Sequence, residues 1–391
     1  MERAARIAGL RARLDQAGLD AALLWQSRDL LYYAGSAEPG MLLVWPGGWR
    51  LFVRGSLERV RRDSWLDPAG LAPQRDQGRI LAEAASLLPH NAVVGTELDV
   101  LPVIWWQAWQ GRVPAWRWRD VSPLVLAQRM VKDAGEVAAM RAACRAAHAG
   151  HLAALDALRE GMTELELSAA VEDAQRRAGH EGVFFMRHPD FFMARGLMTS
   201  GEGFMDNSGV AYSITGQGLS PAVPAGASRR TIARGRPVLI DIPPQVAGYH
   251  ADFARSYLVG RASPELRRAQ EALEALYDFA ALVIRPGRAW ADCWRIIHDE
   301  AARLGVGDAF QALPGGGKLN YIGHGVGLEL NEPPQITPRN QEPVTAGAVL
   351  AIEMHLLAGP NAGLKMEDML WVGPEDSEYI GLTPRRLFEV D

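Results

Sequence analysis

Two segments of this chain repeat one pattern: an apolar strand ending in an acid, a turn, and a returning strand opened by a second acid. The first runs from Gly235 through Val238-Leu239-Ile240 to Asp241, turns at Ala247-Gly248, and returns from Asp252 to Gly260. The second runs from Gly347 through Val349-Leu350-Ala351-Ile352 to Glu353, crosses a loop holding Gly359, Pro360 and Gly363, and returns from Glu367-Asp368 to Gly373. Strands this apolar belong inside a sheet, where facing like charges are costly unless something neutralises them. A pair of divalent cations does so directly. The pattern therefore demands a fold in which two hairpins bring their acids together.

Between the hairpins lies Ile322-Gly323-His324-Gly325-Val326-Gly327-Leu328. Glycines on both sides let a histidine approach another backbone without a neighbouring Cβ in the way. Four carboxylates and an imidazole suit manganese, cobalt, iron or zinc, whereas a structural zinc site would use thiolates. Two such ions sharing a bridging water supply hydroxide near neutral pH and clamp a tetrahedral intermediate.

Asp241, Asp252, His324, Glu353 and Glu367 resemble, in order and residue type, the five metal ligands of the pita-bread metallopeptidases: methionine aminopeptidase, prolidase, aminopeptidase P and their metal-free cousin creatinase. The likeness is greatest to the Xaa-Pro peptidase branch, whose members carry an extra N-terminal domain. The resemblance implies an α/β creatinase-type domain over residues 1–125, followed by an α+β pita-bread catalytic domain over residues 126–391 with an internal pseudo-two-fold repeat. It also implies two divalent metal ions (Mn, Co, Zn or Fe), with no other cofactor, and a homodimer. Glu353 would act as general base and then acid, His324 would fix one metal, and Asn331 would be the remaining catalytic residue.

The chain departs from the branch in the shell that handles substrate. Ala225 stands in the loop 220–226 where the branch has a histidine, and Asn331 opens Asn331-Glu332-Pro333-Pro334 where it has another. Those histidines hold the scissile carbonyl or serve the leaving group, and losing one oxyanion donor costs roughly 2.7–4 kcal/mol of transition-state stabilisation. Asn331 can still donate a hydrogen bond but carries no proton or charge. Lys365 replaces an arginine, which is not conservative at a bidentate site. An insertion over residues 183–209, rich in Phe and Met, is expected to form a lid or a dimer contact. Its Arg187 or His188 could stand in for the missing histidines.

The 391 residues suggest two domains. A net charge of -5 gives no electrostatic reason to bind nucleic acid. Cys144 and Cys293 are far apart and read as packed thiols. With no apolar signal region or membrane-length segment, a soluble cytoplasmic protein without nucleic-acid or membrane partners is expected. Alternating helix-like and strand-like runs fill the first domain, where Trp105, Trp106, Trp109, Trp116 and Trp118 read as local core or a subunit contact. A boundary near residues 120–132 precedes amphipathic helices over 136–159 and 163–178, a strand over 210–215, and a second helix pair over 264–284 and 290–304. His250 reads as an outer or surface group, His355 as an outer donor to Glu353, and His90, His148, His151 and His180 as solvated. The favoured function is a metal-dependent hydrolase of Xaa-Pro peptides. The alternatives are a dinuclear hydrolase or lyase of a small non-peptide metabolite and a non-catalytic pita-bread binding protein.

Overall fold

A computed structural model of the chain describes residue 3 and residues 5–188, 195–209, 213–359 and 362–391. It divides into two compact units, Met1–Arg129 and Met130–Asp391. Among the described residues no helix is long and apolar enough to cross a membrane.

The first unit begins with α1 (Ala5–Gln16) and continues through β1 (Ala21–Leu24), α2 (Ser27–Ala34), β2 (Gly40–Trp45), β3 (Gly48–Val53), α3 (Leu57–Asp63), β4 (Leu71–Pro73), α4 (Gln77–Leu87), β5 (Val93–Thr96), α5 (Val103–Arg112), β6 (Arg117–Asp120) and α6 (Ser122–Met130). Its strands make one mixed sheet in the order β4-β3-β2-β1-β5-β6. Trp109 and Trp116 are buried, and Trp118 packs edge-on against Trp106 and Trp116 with centroids 5.7 and 5.3 Å apart. The indole-rich stretch is thus core to its own unit.

The second unit is built from two similar halves. The helices α7 (Ala134–Ala157) and α8 (Glu164–Arg177) each start with a reciprocal capping box, Asp133 with Glu136 and Thr163 with Glu166. They are followed by β7 (Leu197–Ser200), β8 (Pro237–Asp241), β9 (Gln245–Val246), β10 (Tyr249–His250) and β11 (Ala254–Val259). The second half holds α9 (Pro264–Val283), α10 (Trp290–Arg303), β12 (Gly323–Gly325), β13 (Glu332–Gln335), β14 (Val349–Leu357), β15 (Gly363–Val372), β16 (Ser377–Tyr379) and β17 (Phe388–Val390). One sheet joins both halves in the order β13-β12-β14-β15-β11-β8-β7, with β16 added to β15 and β17 to β11.

Strand alternation sorts the side chains between two faces. Val238, Ile240, Tyr257 and Val259 pack with Ala154, Leu158, Leu167 and Val171 of the first helix pair and its C-terminal flank. Leu350, Ile352, Met354, Leu364 and Met366 pack against Leu273, Tyr277, Trp290 and Ile297 of the second. The alternate positions, including Asp241, Glu353 and Glu367, are left for the opposite face. Between β9 and β10, Ala247 and Gly248 both have positive φ, 51° and 80°, which suits the right-handed twist of a two-residue hairpin.

The strand expected over 210–215 is not found: residues 213–215 are irregular, residues 210–212 lie outside the described residues, and β7 takes the place beside β8. Of the 183–209 insertion, residues 189–194 likewise lie outside the described residues. Its first part is held in the second unit, with Phe185 N donating to His250 Nε2 and Phe185 O accepting from Leu330 N. Cys144 and Cys293 are buried free thiols, and burial pushes both up to about 12.

His151 and His298 are enclosed by aromatic rings. His151 is buried, with Nδ1 2.9 Å from the Tyr257 hydroxyl and its ring against Phe388. His298 lies between Trp294 and Phe310, with ring centroids 3.9 and 4.8 Å away. Burial lowers each to about 4. Both are therefore neutral in the folded state, while the unfolded chain protonates them near the ordinary value of about 6.5. Because the folded state binds fewer protons in this window, stability should be full above about pH 6.5 and be lost as pH falls toward about 4. Replacing His298→Phe should remove its share, on the order of 2 kcal/mol between pH 7 and 4.5. Urea midpoints across that range would show a flatter pH dependence in the variant.

Candidate metal centre

The acids meet where the two hairpins abut. Ala254 of β11 is paired with Asp241 of β8 on one side and with Glu367 of β15 on the other. Across β14 and β15, Glu353 faces Glu367 and His355 faces Lys365. Asp252 lies just ahead of β11 with its backbone N on the Met369 sulfur at 3.2 Å. His324 is brought in on β12, which is hydrogen-bonded to both β13 and β14. A Cβ at Gly323 would run into the Ala351 carbonyl and one at Gly325 into the Pro333 carbonyl, so the flanking glycines are required for this approach. All five residues singled out in the sequence are buried and converge.

The histidine's tautomer is set by its own neighbour. His324 Nδ1 lies 2.9 Å from the Gly325 carbonyl, which can only accept, so Nδ1 carries the proton. Burial lowers the imidazole below its ordinary range and keeps it neutral. The lone pair on Nε2 therefore faces Asp252 Oδ2 at 3.5 Å and Glu353 Oε1 and Glu367 Oε1 at 3.9 Å each. With Asp252 and Glu367 ionised this side presents only acceptors, which have no mutual attraction, and a cation among them resolves it. Asp252, His324 and Glu367 offer ligand atoms that all lie within 4.8 Å of one another, so the donor set fits a divalent ion.

Opposite this group stands Lys365. Its Nζ is 2.6 Å from Asp241 Oδ2, 2.9 Å from Glu353 Oε2 and 3.0 Å from Glu367 Oε2. Burial would pull the ammonium down, but these three carboxylates hold it well above its usual range. Burial raises Asp241, only partly offset by Lys365, and raises Asp252 and Glu367 well above the carboxylate range. Glu353 differs: burial would raise it, yet Lys365, His324 and Tyr321 keep it low and ionised. Tyr321 also stacks on His324, with centroids 5.8 Å apart and planes 11° from parallel.

The direct contact of Lys365 and the part played by Tyr321 were not found from the sequence. For Lys365 the signal was present, because it precedes Glu367 by two residues and so shares its strand face. For Tyr321, three residues before His324 in an irregular segment, there was none. Other expectations need correction. His250 is fully buried rather than superficial, with Nδ1 3.0 Å from the Gly327 carbonyl and Nε2 accepting from Phe185 N at 3.0 Å. His180 is buried between Gln245 N and O rather than solvated. His355 shares the inner face, but its Nε2 donates to the Ala312 carbonyl at 2.8 Å and not to Glu353. Asn331 is half-buried at the entry to β13, Ala225 is buried, and His188 is exposed. Arg187 is engaged with buried Glu329 at 3.7 Å.

A match to the model of metallopeptidase family M24 covers residues 138–374, more than half the chain. The chain belongs to metallopeptidase family M24. Residues 6–131 match the Creatinase/Prolidase N-terminal domain. Among curated relatives, this M24 chain is 23% identical to the Xaa-Pro dipeptidase of Pyrococcus horikoshii, covering 96% of each chain. It is 26% identical to the probable dipeptidase PepE of Mycobacterium tuberculosis, covering 99% of this chain and 96% of the relative. The Xaa-Pro dipeptidase structure from Bacillus anthracis superposes with a TM-score of 0.81 at 21% identity over 100% of both chains. M24 membership and the names of these relatives favour peptide hydrolysis over a small-metabolite or purely binding role.

The M24 centre is braced by a buried guanidinium. Arg255 of β11 is fully enclosed and pairs with Asp368 at 2.6 Å while donating to the carbonyls of Glu367, Thr383 and Pro384. Arg255→Met would leave buried Asp368 with only the longer 3.7 Å pairing to Arg385, a loss of roughly 3 kcal/mol, at the low end for a broken buried pair. Urea unfolding of the two proteins without added metal should show that difference.

Proposed function

We propose that this protein is a metal-dependent peptidase that hydrolyses the amide bond of short Xaa-Pro peptides. The observation that carries the chemistry is the neutral His324 with its Nε2 lone pair turned onto Asp252, Glu353 and Glu367. The substrate class is supported by the names of the relatives. In this reading Asp252, His324 and Glu367 hold the ion, with Glu353 and Asp241 as the adjoining acids. A bound divalent ion polarises the scissile carbonyl and lowers the pKa of water.

Glu353, held ionised, takes a proton from water at a carboxylate oxygen and returns it to the leaving nitrogen. Tyr321 helps hold Glu353 ionised and buttresses the imidazole through its ring. Asn331 offers an uncharged amide donor to the substrate, in place of a histidine that could carry charge. The finer attributes suggested by the resemblance, manganese as the metal and a cytoplasmic homodimer, form part of the same proposal.

Purified protein supplied with manganese or cobalt should release proline from Xaa-Pro dipeptides, or the N-terminal residue from Xaa-Pro tripeptides, and not act on Xaa-Ala controls. No turnover of any Xaa-Pro peptide at saturating metal would overturn the substrate assignment. His324→Ala should abolish both turnover and retained metal, measured by elemental analysis after gel filtration. Tyr321→Phe should lower kcat roughly tenfold, about 1.4 kcal/mol, with metal retained, because Glu353 loses a group that helps hold it ionised.

A further inference from the structure

Two sets of carboxylate oxygens can be told apart in the centre. Glu353 and Glu367 each turn Oε1 toward His324 and Oε2 toward Lys365. The imidazole side also receives Asp252 Oδ2, and the lysine side receives Asp241 Oδ2. The acids therefore enclose two cation positions rather than one, and each has its own oxygen from each glutamate.

We propose that the Lys365 ammonium is the resident cation of one position, so that the protein binds a single divalent ion, at Asp252, His324 and Glu367. This rests on the metal-dependent reading given above and refines it.

An ammonium has three N–H donors and no acceptor. Lys365 has three carboxylate partners within 3.0 Å, contributed by β8, β14 and β15. It donates to Asp241 Oδ2 and ion-pairs with both glutamates, so its charge stands among the oxygens that a second ion would need. The side chain is 2% exposed, and the register that sets His355 opposite Lys365 and Glu353 opposite Glu367 fixes it on this face. A second divalent ion bound through Asp241 and Glu367 would stand against a like charge that has no water to screen it. An arginine here would be longer and planar, with its charge spread across a fork. A lysine delivers a compact charge of ionic size to one point.

The test is the number of ions retained. Wild-type protein saturated with manganese and freed of excess by gel filtration should hold one ion per chain by elemental analysis. Lys365→Met, which clears the position, should hold two. Two ions in the wild type would overturn this proposal and leave the peptidase reading standing. No ion in the wild type would overturn both. One ion in a folded Lys365→Met protein would also overturn it, because the ammonium would not then be what keeps the second ion out. A second measurement needs no variant: the electron paramagnetic resonance spectrum of manganese-loaded wild type should be the six-line pattern of an isolated ion. A spin-coupled pair would refute the proposal.

Discussion

Four carboxylates packed into a dry junction between two hairpins are the constraint on which the catalytic unit turns. Asp241, Asp252, Glu353 and Glu367 are all less than a tenth exposed. Such a group is tolerated only with positive charge among it, and the structure supplies this in two forms. Lys365 is an intrinsic cation held against three of the acids. On the other side a neutral imidazole leaves its lone pair for an extrinsic one. Glu353 touches both sides and is the acid kept ionised, which suits it to move a proton.

The sheet makes this arrangement reproducible. In β14 and β15 one set of alternate residues is packed into the helices α9 and α10, so the other set must face inward. A slip of one residue would bury Glu353 and Glu367 among Leu273, Tyr277 and Trp290 and is excluded by that cost. On the neighbouring strand Arg255 ties Asp368 to the C-terminal segment, which holds β15 and β11 together beside the acids. The convergence of these acids is a by-product of hydrophobic alternation on the outer face.

Much of this was legible in the sequence because it is periodic. The apolar runs ending in Asp241 and Glu353 announce strands with acids at fixed positions, and Thr163 followed by Glu166 marks a helix start that the structure reproduces. The glycines beside His324 signal close backbone approach, and Gly323 and Gly325 do face carbonyls that a Cβ would strike. What escaped depends on contacts between distant segments. His151 sits on a helix face that looks solvated until Tyr257 and Phe388 cover it. His250 is enclosed by Gly327 and Phe185, neither of which is near it in sequence. Spacing places Lys365 on the face of Glu367, but its contacts with Asp241 and Glu353 come from β8 and β14.

The loop that carries Ala225 is closed at its base by a carboxylate from outside the sheet. Both oxygens of buried Glu164, at the start of α8, are used: one accepts from the backbone and hydroxyl of Ser200, the other from the backbone and hydroxyl of Ser228. These two serines bracket the stretch between β7 and the approach to β8. The carboxylate thus acts as a clasp that closes a long excursion at its base. Within the excursion, Phe204 and Ile214 pack on Leu239 and Ala254, the latter paired with Asp241, so the clasp also steadies the strands that carry the acids.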